Sequence, residues 1–246
     1  MFPIWEYCSR RKGVCQPPLL GADWVKKGYG IMPKDDKRHP WPFKGQDIFA
    51  VKSVAIDSPT LVALQWLSDL HVTDSWLADA FKTSADRLID DLKRRKGPEH
   101  ADVYFFPIGC LYRHALELKL KQVVRLALKL ELIEDKHRVQ KILSEHQLYP
   151  LWNHAKGSIK RFWPDGPEDE LSAAERIVQA VHMIDGAGES LRYTKNKRGK
   201  STLVKMPKYV DLLQFRKIYS GVFNMLGGCE DTFEHEYHAR CEADQG

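Results

Sequence analysis

His114, Glu117, Lys121 and Arg125 follow one another at steps of three or four residues. On a helix those steps put all four on one stripe, because each residue advances about 100° around the axis. The chemistry on offer is proton transfer and anion binding. Histidine can carry a proton near neutral pH, and arginine can fork onto a phosphate. The plain alternative is a solvated face held by i, i+4 pairs worth a few tenths of a kcal/mol each. The sharper reading is a polar pocket between helices, where His114, Glu117 and Lys121 meet His146 and Arg192.

Two other groups of residues could bind phosphate. Lys195, Lys197, Arg198 and Lys200, followed by Lys205 and Lys208, form a basic segment of the kind that contacts nucleic-acid backbone, or simply a solvated loop. Lys156, Lys160, Arg161, Phe162 and Trp163 set cations beside rings, as single-strand binders do. Packing of those rings on the rest of the fold is the competing explanation. Near the C-terminus, Cys229, His235, His238 and Cys241 supply two thiolates and two imidazoles, a tetrahedral zinc set by ligand type. A polar, acidic tail is the alternative there. Cys8 and Cys15 could replace two of these ligands if the termini meet.

The elements that must position these groups are helical. The stretch Tyr104–Leu132 has apolar Tyr112, Leu116, Leu120, Val123, Ala127 and Leu130 on one side, with Leu111, Leu118, Val124 and Leu128 widening the coverage. A surface helix needs no such width, so this one is expected at the middle of a bundle. Lys119 falls inside its apolar face, where it should snorkel or mark a missing neighbour. Further helices are expected from Ser58 with Pro59 in its first turn, over Asp74–Lys96, Asp135–Leu151 and Glu170–Ile184, and from Pro207 to a stop at Gly227-Gly228. Phe49–Ile56 reads as a short strand. Residues 1–57, rich in Pro, Gly and aromatic rings, read as an irregular arm, residues 58–228 as the bundle and 229–246 as a polar tail. The expected class is an all-α bundle of five to six helices.

Composition sets outer bounds. The 246 residues suffice for a substantial core, and 43% hydrophobic residues is ordinary for a globular protein. Lys and Arg interrupt every apolar run before the roughly 18 residues of a membrane span. The N-terminus lacks the apolar core of a signal peptide, so a cytoplasmic location with reduced cysteines is expected. A net charge of +5 permits a nucleic-acid partner without requiring one.

The order RHALELKLK (Arg113–Lys121), HQLYPLW (His146–Trp152), an acidic residue and then Arg192-Tyr193 resembles a branch of the HEPN superfamily. There, a helix bearing His-x-x-Glu-x-x-x-Lys precedes a His-Asp-Leu and an Arg-Tyr-Pro loop. This chain departs at Gln147 and Thr194, and the resemblance covers about Asp102–Leu226. It implies a helical bundle, often homodimeric, of the kind met in bacterial defence and toxin–antitoxin systems. Some members cut RNA without a metal, and others are inactive modules that bind a protein, RNA or nucleotide. Active members use Arg and His four to six residues apart, a spacing met by Arg95 (or Arg94) with His100 and by Arg176 with His182. Arg176 and His182 would stand about 120° apart on a straight helix, so a shared site needs the helix to end or a second subunit to contribute. The implied site thus comprises His114, Glu117, Lys121, His146, Arg192 and Tyr193 with those pairs. No cofactor is implied beyond the candidate zinc, whose alternative role is a purely structural clasp.

Overall fold

The computed structural model describes residues 74–94, 101–166, 168–196, 198–202 and 206–244, all within the second of the chain's two units, Ala63–Gly246. The expected arm, the strand at 49–56 and the helix from Ser58 lie outside the described residues. Six helices run in order: α1 (Asp74–Arg94), α2 (Ala101–Lys129), α3 (Lys136–Ser144), α4 (Leu148–Phe162), α5 (Glu168–Asp185) and α6 (Leu212–Ala243). The class is all-α. Among the described residues the only bridge between extended segments is Lys195 with Ser201. No described helix is long and apolar enough to cross a membrane.

α2 is the axis. At 1.5 Å per residue it runs roughly 43 Å, and it is buried on nearly every side from Ile108 to Ala127. α1 lies along it through Ala78, Ala85 and Ile89, whose small first two side chains allow close approach. α4 and α6 pack on its other sides. α2 stops where Glu131 adopts φ 59°, and the Leu132 amide returns to the Ala127 carbonyl at 2.9 Å, closing the last turn.

Three boundaries differ from expectation, each for a local reason. The expected helix Asp135–Leu151 is two helices, broken at residues 145–147. Pro150 lacks an amide hydrogen and its ring would collide with the carbonyl four residues back, that of His146. The chain therefore opens there, and that carbonyl becomes available to another donor. The last helix starts at Leu212, not Pro207, because the Asp211 carboxylate caps it by accepting from the amides of Leu213 (2.8 Å) and Gln214 (3.1 Å). It also runs straight through Gly227-Gly228 to Ala243. Two helical glycines cost about 1 kcal/mol each, whereas beyond them Cys229, Glu230 and Phe233 continue the buried stripe of Tyr219, Val222, Phe223 and Leu226. Burial wins, and residues 229–243 are helix where a tail was expected.

Candidate functional site

α2 presents Arg113, Glu117 and Lys121 at four-residue steps, and all three are buried. Glu117 is the hub. Its Oε1 accepts from Lys121 Nζ at 2.9 Å and from His146 Nδ1 at 2.8 Å, while Oε2 accepts from Arg113 Nη1. Burial alone would push the carboxyl pKa up. The donated hydrogen bonds from Lys121, Arg113 and His146 outweigh it and bring the value down to about 2. Glu117 is therefore an anion at any ordinary pH, so the hydrogen between it and His146 belongs to Nδ1. That leaves Nε2 as the proton acceptor of the neutral ring.

Arg113 ties the hub to two chain breaks. Its Nη2 donates to the His146 carbonyl freed by Pro150 and, at 3.2 Å, to the Gly186 carbonyl; its Nε donates to the Asp185 carbonyl at 2.9 Å. Asp185 ends α5 buried, with its carboxylate 3.9 Å from Arg113 Nε and accepting from the Ser190 amide at 2.8 Å. The loop between them can press onto the guanidinium because residue 188 is glycine. Its φ is +78°, and a Cβ there would lie 3.2 Å from Arg113 Cζ. Two cations and two carboxylates balance, so protonating His146 would give the cluster one net positive charge.

Among the described residues the cluster reaches solvent chiefly at His146. The His146 side chain is 65% exposed, and its Nε2 has no hydrogen-bond partner among the described residues. Next to it runs an open polar groove of about 360 Å³, lined by Gln147, His182, Asp185, Gly186, Glu189 and Asn196. Gly186 joins groove to network: its carbonyl holds Arg113, and a Cβ on it would lie only 2.6 Å from His182 Cε1.

The structure brings together Glu117, Lys121 and His146, and brings Arg192 alongside. Arg192 Nε donates to the Gly188 carbonyl, and its guanidinium stands 5.9 Å from the exposed Tyr193 ring; neither touches Glu117 or His146. His114 does not join the hub. Its ring stands edge-on to Phe81 at 4.5 Å, and burial draws its pKa down although Glu117 pulls the other way. Arg125 pairs instead with Asp74. Arg176 and His182 share unbroken α5, so they point about 120° apart: Arg176 is exposed, and only His182 reaches the groove. Arg95 and His100 lie outside the described residues.

Arg161 bonds the Leu132 carbonyl and Glu134, while Lys156 and Lys160 pair with Glu175 and Glu168. Phe162 and Trp163 pack on Phe233, so this group is internal packing with a solvated rim. Lys195, Arg198 and Lys200 are exposed on a small hairpin closed by the Thr202 amide on the Thr194 carbonyl at 3.0 Å; Lys197 lies outside the described residues. On α6, burial pushes the Cys229 thiol pKa up to about 11, whereas His235 and His238 are exposed and Cys241 is half-buried. Among the described residues no three His, Cys, Asp or Glu side chains are grouped to hold a metal ion. Cys8 and Cys15 lie outside them.

Two members escaped the reading of the sequence. Arg113 stands one position before His114 and off its stripe; the four-residue steps 113, 117 and 121 are the signal that marks it. Asp185 is one acidic residue among 33 Asp and Glu, and only folding distinguishes it. No family model matches the chain, and no curated protein or solved structure matches it either.

Proposed function

We propose that the chain is a HEPN-like helical bundle that cleaves RNA without a metal, with His146 as the proton carrier. One observation carries this: an anionic, buried Glu117 holds Nδ1 of a solvent-exposed histidine, which leaves Nε2 to solvent one residue from a polar groove that Gln147 lines. A carboxylate–histidine pair of this kind fixes the tautomer and stabilises the imidazolium that forms when Nε2 takes a proton. In RNA, Nε2 would take the 2′-hydroxyl hydrogen as that oxygen bonds phosphorus. The bond to the 5′-oxygen then breaks, and that oxygen needs a proton donor. His182 on the same groove is the candidate. Arg192, Lys195, Arg198 and Lys200 are exposed cations available to the phosphate. A homodimeric, cytoplasmic defence or toxin component belongs to the same proposal through the family resemblance.

A second reading has its own support. The Arg113 guanidinium is buried and spends four of its five N–H groups on protein acceptors, which leaves it little to offer a phosphate. A silent module that binds a protein, RNA or nucleotide would keep the same network for stability. The test is cleavage of single-stranded RNA by the full chain in EDTA. His146→Ala should lower the rate at least about 100-fold with unfolding unchanged, and His182→Ala should lower it less. Equal activity in the wild type and both variants contradicts the histidine mechanism.

A further inference from the structure

The groove one residue from His146 is lined in a way that proton transfer does not require. The protein carries a net charge of +5, yet among the described residues no Lys or Arg lines this groove. Its wall is rich in oxygen instead. α5 ends there, and the carbonyls of Met183 and Ile184 belong to its last turn, which has no donors within the helix and is the negative end of its dipole. Asp185 and Glu189 bring two carboxyl side chains to the same lining. Gln147 joins them from the start of α4, and its side chain makes no capping hydrogen bond to that helix.

A phosphate would set oxygen against oxygen here, so the groove calls for a ligand that brings hydrogen-bond donors. A small cation would do that, but two features favour a flat, uncharged donor. The volume of about 360 Å³ is that of a small-molecule site, far more than an ammonium or guanidinium group fills. The lining also holds groups that take ring faces: the His182 imidazole, whose centroid stands 6.0 Å from that of Tyr149, and Met183, 67% exposed. A nucleobase with an exocyclic amino group answers both features. Its faces are apolar, its amino hydrogens suit carbonyl acceptors, and a carboxamide reads its edge in pairs, as Gln does on adenine N6 and N7. We infer that the groove is a binding site for an amino-bearing purine base, adenine. Gln147 spans N6 and N7, and a carbonyl of the last α5 turn takes the second N6 hydrogen. Membership of that base in an RNA chain cut at His146 rests on the proposed function above; binding of the base does not.

The test is NMR of the full chain with its five methionines carbon-13 labelled at the methyl group, the Met183 signal being the one that Met183→Leu removes. Adenosine should move that signal upfield along a saturable curve. Purine riboside, the same ring without the amino group, should bind about tenfold more weakly. Gln147→Ala should weaken adenosine about tenfold with urea unfolding unchanged, and inorganic phosphate should leave the signal in place. Equal affinity for adenosine and purine riboside overturns the site, and so does a Met183 signal that adenosine fails to move. A shift as large with phosphate or methylguanidinium overturns it too, because charge would then account for binding. The two readings fail separately. Amino-dependent adenosine binding together with cleavage that survives His146→Ala sinks the proton carrier and keeps the base site. Cleavage lost in His146→Ala without an adenosine response does the opposite.

Discussion

α2 carries two buried ion networks on opposite faces, since Glu117 and Lys119 are two positions and so about 200° apart around its axis. On one face Lys119, 4% exposed, donates to Glu230 of α6 at 2.8 Å and to the Ser75 hydroxyl at 2.7 Å, and Ser75 also donates to Glu230. The Phe223 ring lies 5.0 Å from the same ammonium. On the other face Glu117 gathers Arg113, Lys121 and His146. Both networks neutralise a carboxylate inside the bundle, and both are expensive to open. They differ in where they lead. Among the described residues the Lys119 network closes on itself between α1, α2 and α6, with half-buried Ser75 and exposed Asp79, 3.8 Å away, at its rim. The Glu117 network ends on an exposed, titratable ring beside a groove. A buried charge pair is therefore no functional signal by itself; its outlet is.

That contrast can be attacked from several sides. The largest effect should come from Arg113→Ala, which leaves Glu117 Oε2 without its donor, takes the cation from the buried Asp185 carboxylate and releases the carbonyls of His146, Asp185 and Gly186; about 3 to 5 kcal/mol should be lost in urea unfolding. Lys119→Ala should cost a similar amount by stranding Glu230. The networks should then part company when both partners are replaced. Lys119→Met with Glu230→Leu should unfold at or above wild-type stability and leave cleavage intact. Arg113→Met with Glu117→Leu should abolish cleavage. If both double variants behave alike, the distinction drawn here is void.

Acid gives the next effect. The folded Glu117 carboxyl sits at about 2 against an ordinary 4.5, so its stabilisation is complete above pH 4.5 and drains away as pH falls towards 2. About 3 kcal/mol of acid-dependent stability should be tied to this group. Glu117→Gln should flatten the stability profile in that window, as measured by denaturant titrations at successive pH values. Gly188→Ala is smaller, about 1 to 2 kcal/mol, because any side chain is strained at φ +78° and crowds Arg113. Smallest, and opposite in sign, are Gly227→Ala and Gly228→Ala. A Cβ at either meets nothing within 4 Å, so each should raise stability by up to about 1 kcal/mol while leaving the nearby Lys119–Glu230 pair undisturbed.

The same contrast explains what could be read from the residues alone. The helical class and α2 as its axis were legible because apolar residues recur at 3.6-residue period over a long stretch. The four-residue step joined Glu117 to Lys121, and the resemblance set His146 beside them; the structure shows the three in hydrogen-bond contact. Lys119 was misread as snorkelling or lacking a neighbour: its partner Glu230 is 111 positions away, on a helix expected to have ended at Gly227-Gly228. Losing those last turns hid the second network. Arg113 was masked by its neighbour His114, whose ring belongs to Phe81. Pro150 was seen only as part of a motif, yet it opens the helix and frees the carbonyl that Arg113 takes. Long-range partners and the fate of a single freed carbonyl depend on tertiary packing, which local pattern does not encode.

The central claim is that Glu117 holds His146 with hydrogen on Nδ1 and Nε2 open. Nitrogen-15 NMR of the imidazoles, with His146 assigned by loss of its signals in His146→Ala, reads this directly in the neutral ring. The account predicts a protonated Nδ1 and a bare Nε2. A bare Nδ1 with the hydrogen on Nε2 would contradict it, because the exposed nitrogen could then accept no proton.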